Sequence, residues 1–75
     1  MEINVGAVIS AFRKQKGVTQ EALADFVGVS KASVSKWETG QSYPDITLLP
    51  ILAAYFDVSI DQLMAYDAQL QPSEI

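Results

Sequence analysis

Apolar residues recur along this chain at intervals of three and four, and most such runs follow a residue suited to starting a helix. Val5, Val8, Ile9 and Phe12 form the first stripe, and Gly17 is placed to end that helix in a left-handed backbone conformation. One arrangement then repeats: an apolar residue, a capping residue, and a second apolar residue five positions after the first. It occurs as Ile3-Asn4 with Val8, Val18-Thr19 with Leu23, Val29-Ser30 with Val34, and Val58-Ser59 with Leu63. The middle residue can accept from free backbone N–H groups of the first turn, while the apolar pair fixes the angle of entry. Four helix starts follow from this. Gln62, three residues after Ser59, completes a Ser-x-x-Gln capping box and makes the last start the best specified.

A further helix is marked by Leu48, Leu49, Leu52, Ala53 and Phe56, with Asp45 as its expected cap. Pro50 complicates its start, because proline costs ~3 kcal/mol in a helix interior but is harmless in the first turn. The beginning is therefore open between Asp45 and a point nearer Thr47. No stretch alternates polar and apolar residues for long, and Gly40-Gln41-Ser42-Tyr43-Pro44 reads as a loop. The pattern predicts an all-α fold, a compact five-helix bundle.

At 75 residues the chain makes one small domain. Residues 1–66 are read as that unit and 67–75 as a polar tail or the start of a linker. Apolar residues are spread out, with no run of the ~20 needed to span a membrane. The first residues lack the basic and apolar segments of a signal peptide. The expectation is a soluble, cytoplasmic protein. Cysteine and histidine are both missing, which removes disulfides, thiolate zinc sites and the usual neutral-pH base. An enzyme is not expected, nor are catalytic residues, a cofactor or a metal. Asp57 and Asp61 are near each other, but ordinary helix-end chemistry accounts for them.

The net charge of -4 argues at first against a nucleic-acid partner, since binding DNA depends on neutralising phosphates. Its distribution alters that reading. All five bases, Arg13, Lys14, Lys16, Lys31 and Lys36, lie in a stretch holding only two acids, Glu21 and Asp25. From Trp37 to Ile75 there are six acids and no base. The molecule is expected to be electrically two-faced.

The second and third helices are separated by Gly28-Val29, a connection short enough to force a sharp angle between them. Ala24 is small enough for close approach, and Gly28 permits the turn. Val34 and Trp37 fill the inner face of helix three, which leaves Lys31, Ala32, Ser33, Ser35 and Lys36 outward. These short polar or cationic side chains let a helix enter a groove.

From Thr19 to Gly40 the sequence TQEALADFVGVSKASVSKWETG closely resembles the helix-turn-helix of the XRE family, the Cro and phage-repressor group. The resemblance extends upstream from Gly17 to Ile9 and downstream through Tyr43-Pro44-Asp45 and Phe56 to Leu63, covering roughly Val5 to Met64. It implies a lambda-repressor-like fold and a sequence-specific regulator, expected to be a repressor, that reads double-stranded operator DNA with the helix from about 30 to 39. Lys31, Ala32, Ser33 and Lys36 match the positions that reach base edges. Gln20 matches a phosphate contact, and Ser35, Trp37, Thr39 and Tyr43 match positions on or near the backbone, with Arg13 and Lys16 as further backbone contacts. Homodimerisation on two half-sites is implied. Phe26 departs from the family by placing an aromatic ring where a polar residue is common, and Asp57 stands where glycine or asparagine often ends helix four.

Each residue also has a plainer reading. Lysines are ordinarily solvated, and cations in the last turn of helix one favour the helix dipole without any ligand. Trp37 is placed inward and fits a core better than a stacking platform. The rival function is a protein-interaction module, such as an antitoxin, for which the acidic charge and Phe26 argue. The polar end of the chain also raises a longer parent carrying a sensor or dimerisation domain.

Overall fold

A computed structural model describes residues 4–64, which form five α-helices and one 3₁₀ turn. The helices are α1 (Val5–Lys16), α2 (Gln20–Val27), α3 (Lys31–Glu38), α4 (Leu49–Phe56) and α5 (Ile60–Leu63), and the 3₁₀ turn (Ile46–Leu48) leads directly into α4. No strand occurs among the described residues. Ile3, and the expected tail at 67–75 with the apolar spacing of Tyr66 and Leu70, lie outside them.

Three of the helix starts follow their expected caps, and two do not. Thr19, Ser30 and Ser59 each accept a backbone N–H three residues on, from Ala22, Ser33 and Gln62, and Gln62 returns the bond to the Ser59 backbone. Asn4 does not cap α1. Its backbone, at φ -98° and ψ 57°, is outside the extended region from which a capping side chain reaches the first turn, and no such bond forms. Asp45 caps the 3₁₀ turn instead of α4, accepting from the Thr47 N–H at 2.9 Å. The turn consumes Ile46 to Leu48, so α4 begins at Leu49 and Pro50 falls within its first turn, where no N–H is missed. Gly17 and Gly28 take left-handed conformations, and so does Asp57, at φ 57°.

The core is drawn from every helix: Val5 and Ile9 of α1, Leu23, Ala24 and Val27 of α2, Val34 and Trp37 of α3, Leu52 and Ala53 of α4, and Leu63 of α5. α2 packs most extensively on α3, α1 lies against α3, α4 and α5, and α5 closes on α4. Ala24, almost fully buried, fits the small-residue contact expected where α2 meets α3. A second close approach was not evident from spacing. A Cβ on Gly6 would overlap the carbonyl oxygen of Trp37, so only glycine allows α1 to lie against the end of α3.

Candidate nucleic-acid interface

Burial of Val34 and Trp37 fixes how α3 is rotated on the domain. Helical spacing then puts Ala32 opposite that pair, with Ser35 and Lys36 on either side and Lys31 and Ser33 towards the flanks. Lys31, Ala32 and Lys36 are exposed, while Ser33 and Ser35 are half-buried. Ser33 lies 3.0 Å from the Ser30 hydroxyl, which also accepts the Ser33 backbone N–H at 3.1 Å. The cap thus holds one of the expected base-reading side chains in a set position.

Past α3 the chain turns through a left-handed Gly40 into an exposed loop. The Thr39 hydroxyl lies 3.0 Å from the Ser35 carbonyl oxygen and 3.3 Å from that of Lys36, and accepts from the Gln41 Nε2 at 3.1 Å. Pro44 is buried, and Tyr43 beside it is 68% exposed. Ser35, Thr39 and Tyr43 therefore occupy one continuous run of chain leading off the exposed face of α3.

The end of α3 also belongs to a polar cluster. Arg13 of α1 donates to the Glu38 carboxylate at the end of α3 through Nε at 2.7 Å and Nη2 at 3.2 Å, and through Nη1 to the Val18 carbonyl at 2.8 Å. Gln20, first residue of α2, donates through Nε2 to the same carboxylate at 3.0 Å. The ion-paired side chains are only 13% and 7% exposed. Burial on its own would raise the Glu38 pKa, but hydrogen bonds from Arg13, Gln20 and Ser10, with the Arg13 charge, outweigh it and hold the carboxyl below its ordinary range. The same hydrogen bond raises Arg13 above its ordinary value.

The expected contact residues therefore separate. Lys31, Ala32, Ser33, Ser35 and Lys36 share α3, and Gln20 is joined to the end of that helix by Glu38. Arg13 is engaged in the ion pair, and Trp37 is 4% exposed within the core. Lys16 is directed towards α4, its Nζ 5.0 Å from the centre of the Tyr55 ring. That ring packs on Phe26 at 4.5 Å, and Phe26 remains 57% exposed. Glu38 was missed. It lies 25 residues from Arg13, and the only hint in the sequence was one acid beyond the last base of the basic stretch.

Two short helices crossing at a tight turn, with α3 laid open on its outer side, define a helix-turn-helix domain. The chain belongs to the helix-turn-helix family HTH_3, of XRE type, whose model matches residues 9–63. Over 57 residues it is 39% identical to the HTH-type transcriptional activator BcrR of Enterococcus faecalis, a match covering 76% of this chain and 28% of BcrR. The antitoxin PezA of Streptococcus pneumoniae is 34% identical over 70 residues, covering 93% of this chain and 44% of PezA. The chain thus spans less than half the length of either relative. Among solved structures, the P22 c2 repressor in complex with a synthetic operator matches with a TM-score of 0.78 at 33% identity, covering 89% of this chain and all of that one.

Proposed function

We propose that this chain is the sequence-specific DNA-binding domain of a transcriptional regulator, a repressor, which inserts α3 into the major groove of an operator. The observation that carries the reading is the outer face of α3, where small and cationic side chains stand clear of the domain on a helix fixed from beneath by Val34 and Trp37. Lys31 and Lys36 are the donors to guanine O6 and N7, Ala32 touches a thymine methyl, and Ser33 donates from its capped position. Gln20, Ser35, Thr39 and Tyr43 take the phosphate backbone, with Lys16 farther out. Arg13 and Trp37 hold the interface in place from inside instead of meeting DNA. The domain binds as a homodimer on half-sites ~10 bp apart or a multiple of that. It needs no cofactor, acts in the cytoplasm, and is joined in a longer parent to a sensor or dimerisation domain.

Selection of sites from random DNA with the purified chain gives binding, sequence and half-site spacing together. On a selected site, Lys31→Ala and Lys36→Ala each weaken binding about fivefold or more with an unchanged helical signal, in keeping with ~1–3 kcal/mol per good base contact. Unchanged affinity in both would remove α3 as the reading element. Phe26, so exposed on α2, favours a second reading, a surface for a protein partner such as a toxin. Salt separates the two. DNA binding that neutralises roughly three phosphates per monomer follows a log-log slope of about -2.7, and a protein partner gives a much shallower one.

A further inference from the structure

We infer that Glu38 is a positioning residue for DNA binding, which holds the Gln20 amide with its N–H end at the junction of α2 and α3. The inference rests on the DNA-binding reading above. A glutamine amide can be turned so that either its oxygen or its nitrogen occupies a given place. Phosphate oxygens only accept, so Gln20 serves a phosphate only where its nitrogen is presented. Glu38 removes the ambiguity. Its ionised carboxylate also only accepts, and a turned amide would set the Gln20 oxygen against it, two acceptors in contact where the structure has a 3.0 Å hydrogen bond. The amide nitrogen carries two hydrogens, one bonded to Glu38 and the other left for an acceptor outside the domain.

Glu38 can do this because it is itself immobile. Arg13 holds both its oxygens, at 2.7 and 3.2 Å, and only 7% of the side chain is exposed. Its pKa lies below the ordinary range, so it is charged at neutral pH and acts as a fixed acceptor. The pair therefore carries the orientation of α1 and the end of α3 to the first residue of α2. A neutral amide at position 38 would keep the shape but offer a donor as well, and Gln20 would then be free to turn.

The experiment is a double-mutant cycle on a selected operator, read by mobility shift well below the melting temperature of every variant. Glu38→Gln is expected to weaken binding about fivefold to tenfold, the worth of one hydrogen bond. Gln20→Ala should weaken it similarly, and adding Glu38→Gln to Gln20→Ala should cost nothing more. Gln20→Lys is the rescue background: an ammonium donates in every rotation, so Glu38→Gln should have no effect there. A Glu38 that serves folding alone would leave affinity unchanged in all three backgrounds, and a loss of equal size in all three would mean that it acts apart from Gln20; either result overturns the inference while leaving DNA binding intact. A wild-type chain that selects no DNA overturns both. Should Glu38→Gln not fold, the free wild-type chain still decides the matter by NMR. Two freely exchanging Gln20 amide protons refute the inference, and one proton protected in the free chain with the second protected only on adding the selected operator supports it.

Discussion

At the scale of single residues, Gly6 and Asp57 meet two different backbone demands, one for space and one for a left-handed turn. Gly6 is required for space, because the Trp37 carbonyl oxygen occupies the place a Cβ would take. Gly6→Ala must push α1 away from the end of α3, and overpacking of this kind costs about 1–3 kcal/mol. Chemical denaturation should show a loss of at least about 1 kcal/mol, and an unchanged midpoint would mean that α1 and α3 are not in this contact. Asp57 takes the left-handed backbone that ends α4, one of the few non-glycine side chains that tolerates it. The departure from the family pattern at this position therefore changes the residue without changing the turn.

At the scale of elements, length and stability are not aligned. α5 has only four residues, too few to hold a helix by hydrogen bonding alone, yet its Leu63 is fully buried. Its start is fixed by the Ser59 and Gln62 capping box, and its position by packing on α4 and α1. Leu63→Ala should accordingly cost about 2–5 kcal/mol, as much as a comparable deletion in a long helix. A loss below 1 kcal/mol in thermal or chemical unfolding would show that α5 is not part of the core. The helix starts were legible in the sequence because a cap is a local device, with donor and acceptor three residues apart. Asn4 failed as a cap because its residue type was suitable and its backbone was not. The start of α4 was open because Asp45 had two uses, and the 3₁₀ turn took it.

At the scale of the whole molecule, the charge is divided between a basic middle and an acidic remainder, and the two meet in the Arg13–Glu38 pair. Glu38 has its pKa lowered by folding, so the stability it contributes is present at neutral pH and is lost as pH falls through that lowered value. Asp45, lowered by its bonds to Thr47, acts in the same direction and is common to the wild type and to Glu38→Gln. In denaturation experiments the wild type should exceed Glu38→Gln in stability at pH 7, with the gap closing as pH falls below the ordinary carboxylate range. A gap that stays constant would show that the charge of Glu38 is not what stabilises the fold. The same charge division sets an expectation for binding. A chain of net charge -4 is expected to hold arbitrary DNA weakly, so on the proposed reading affinity rests on docking the face from Lys31 to Lys36 and on doubling it in a dimer.

Residue order alone was enough for the helix starts at Thr19, Ser30 and Ser59, the turn at Gly28, and the inward facing of Val34 and Trp37. Each of these depends on residues within one or two turns of one another, so spacing and residue type were sufficient. Tertiary structure alone decided that Gly6 lies under Trp37, that Arg13 is occupied with Glu38, and that Gln20 shares that carboxylate. Those contacts join residues 18 to 31 positions apart on different helices, and no local pattern encodes which surfaces will meet when five amphipathic helices close on one core. It was packing that left Lys31, Ala32 and Lys36 exposed on α3 while it put Trp37 in the core and Arg13 in an ion pair.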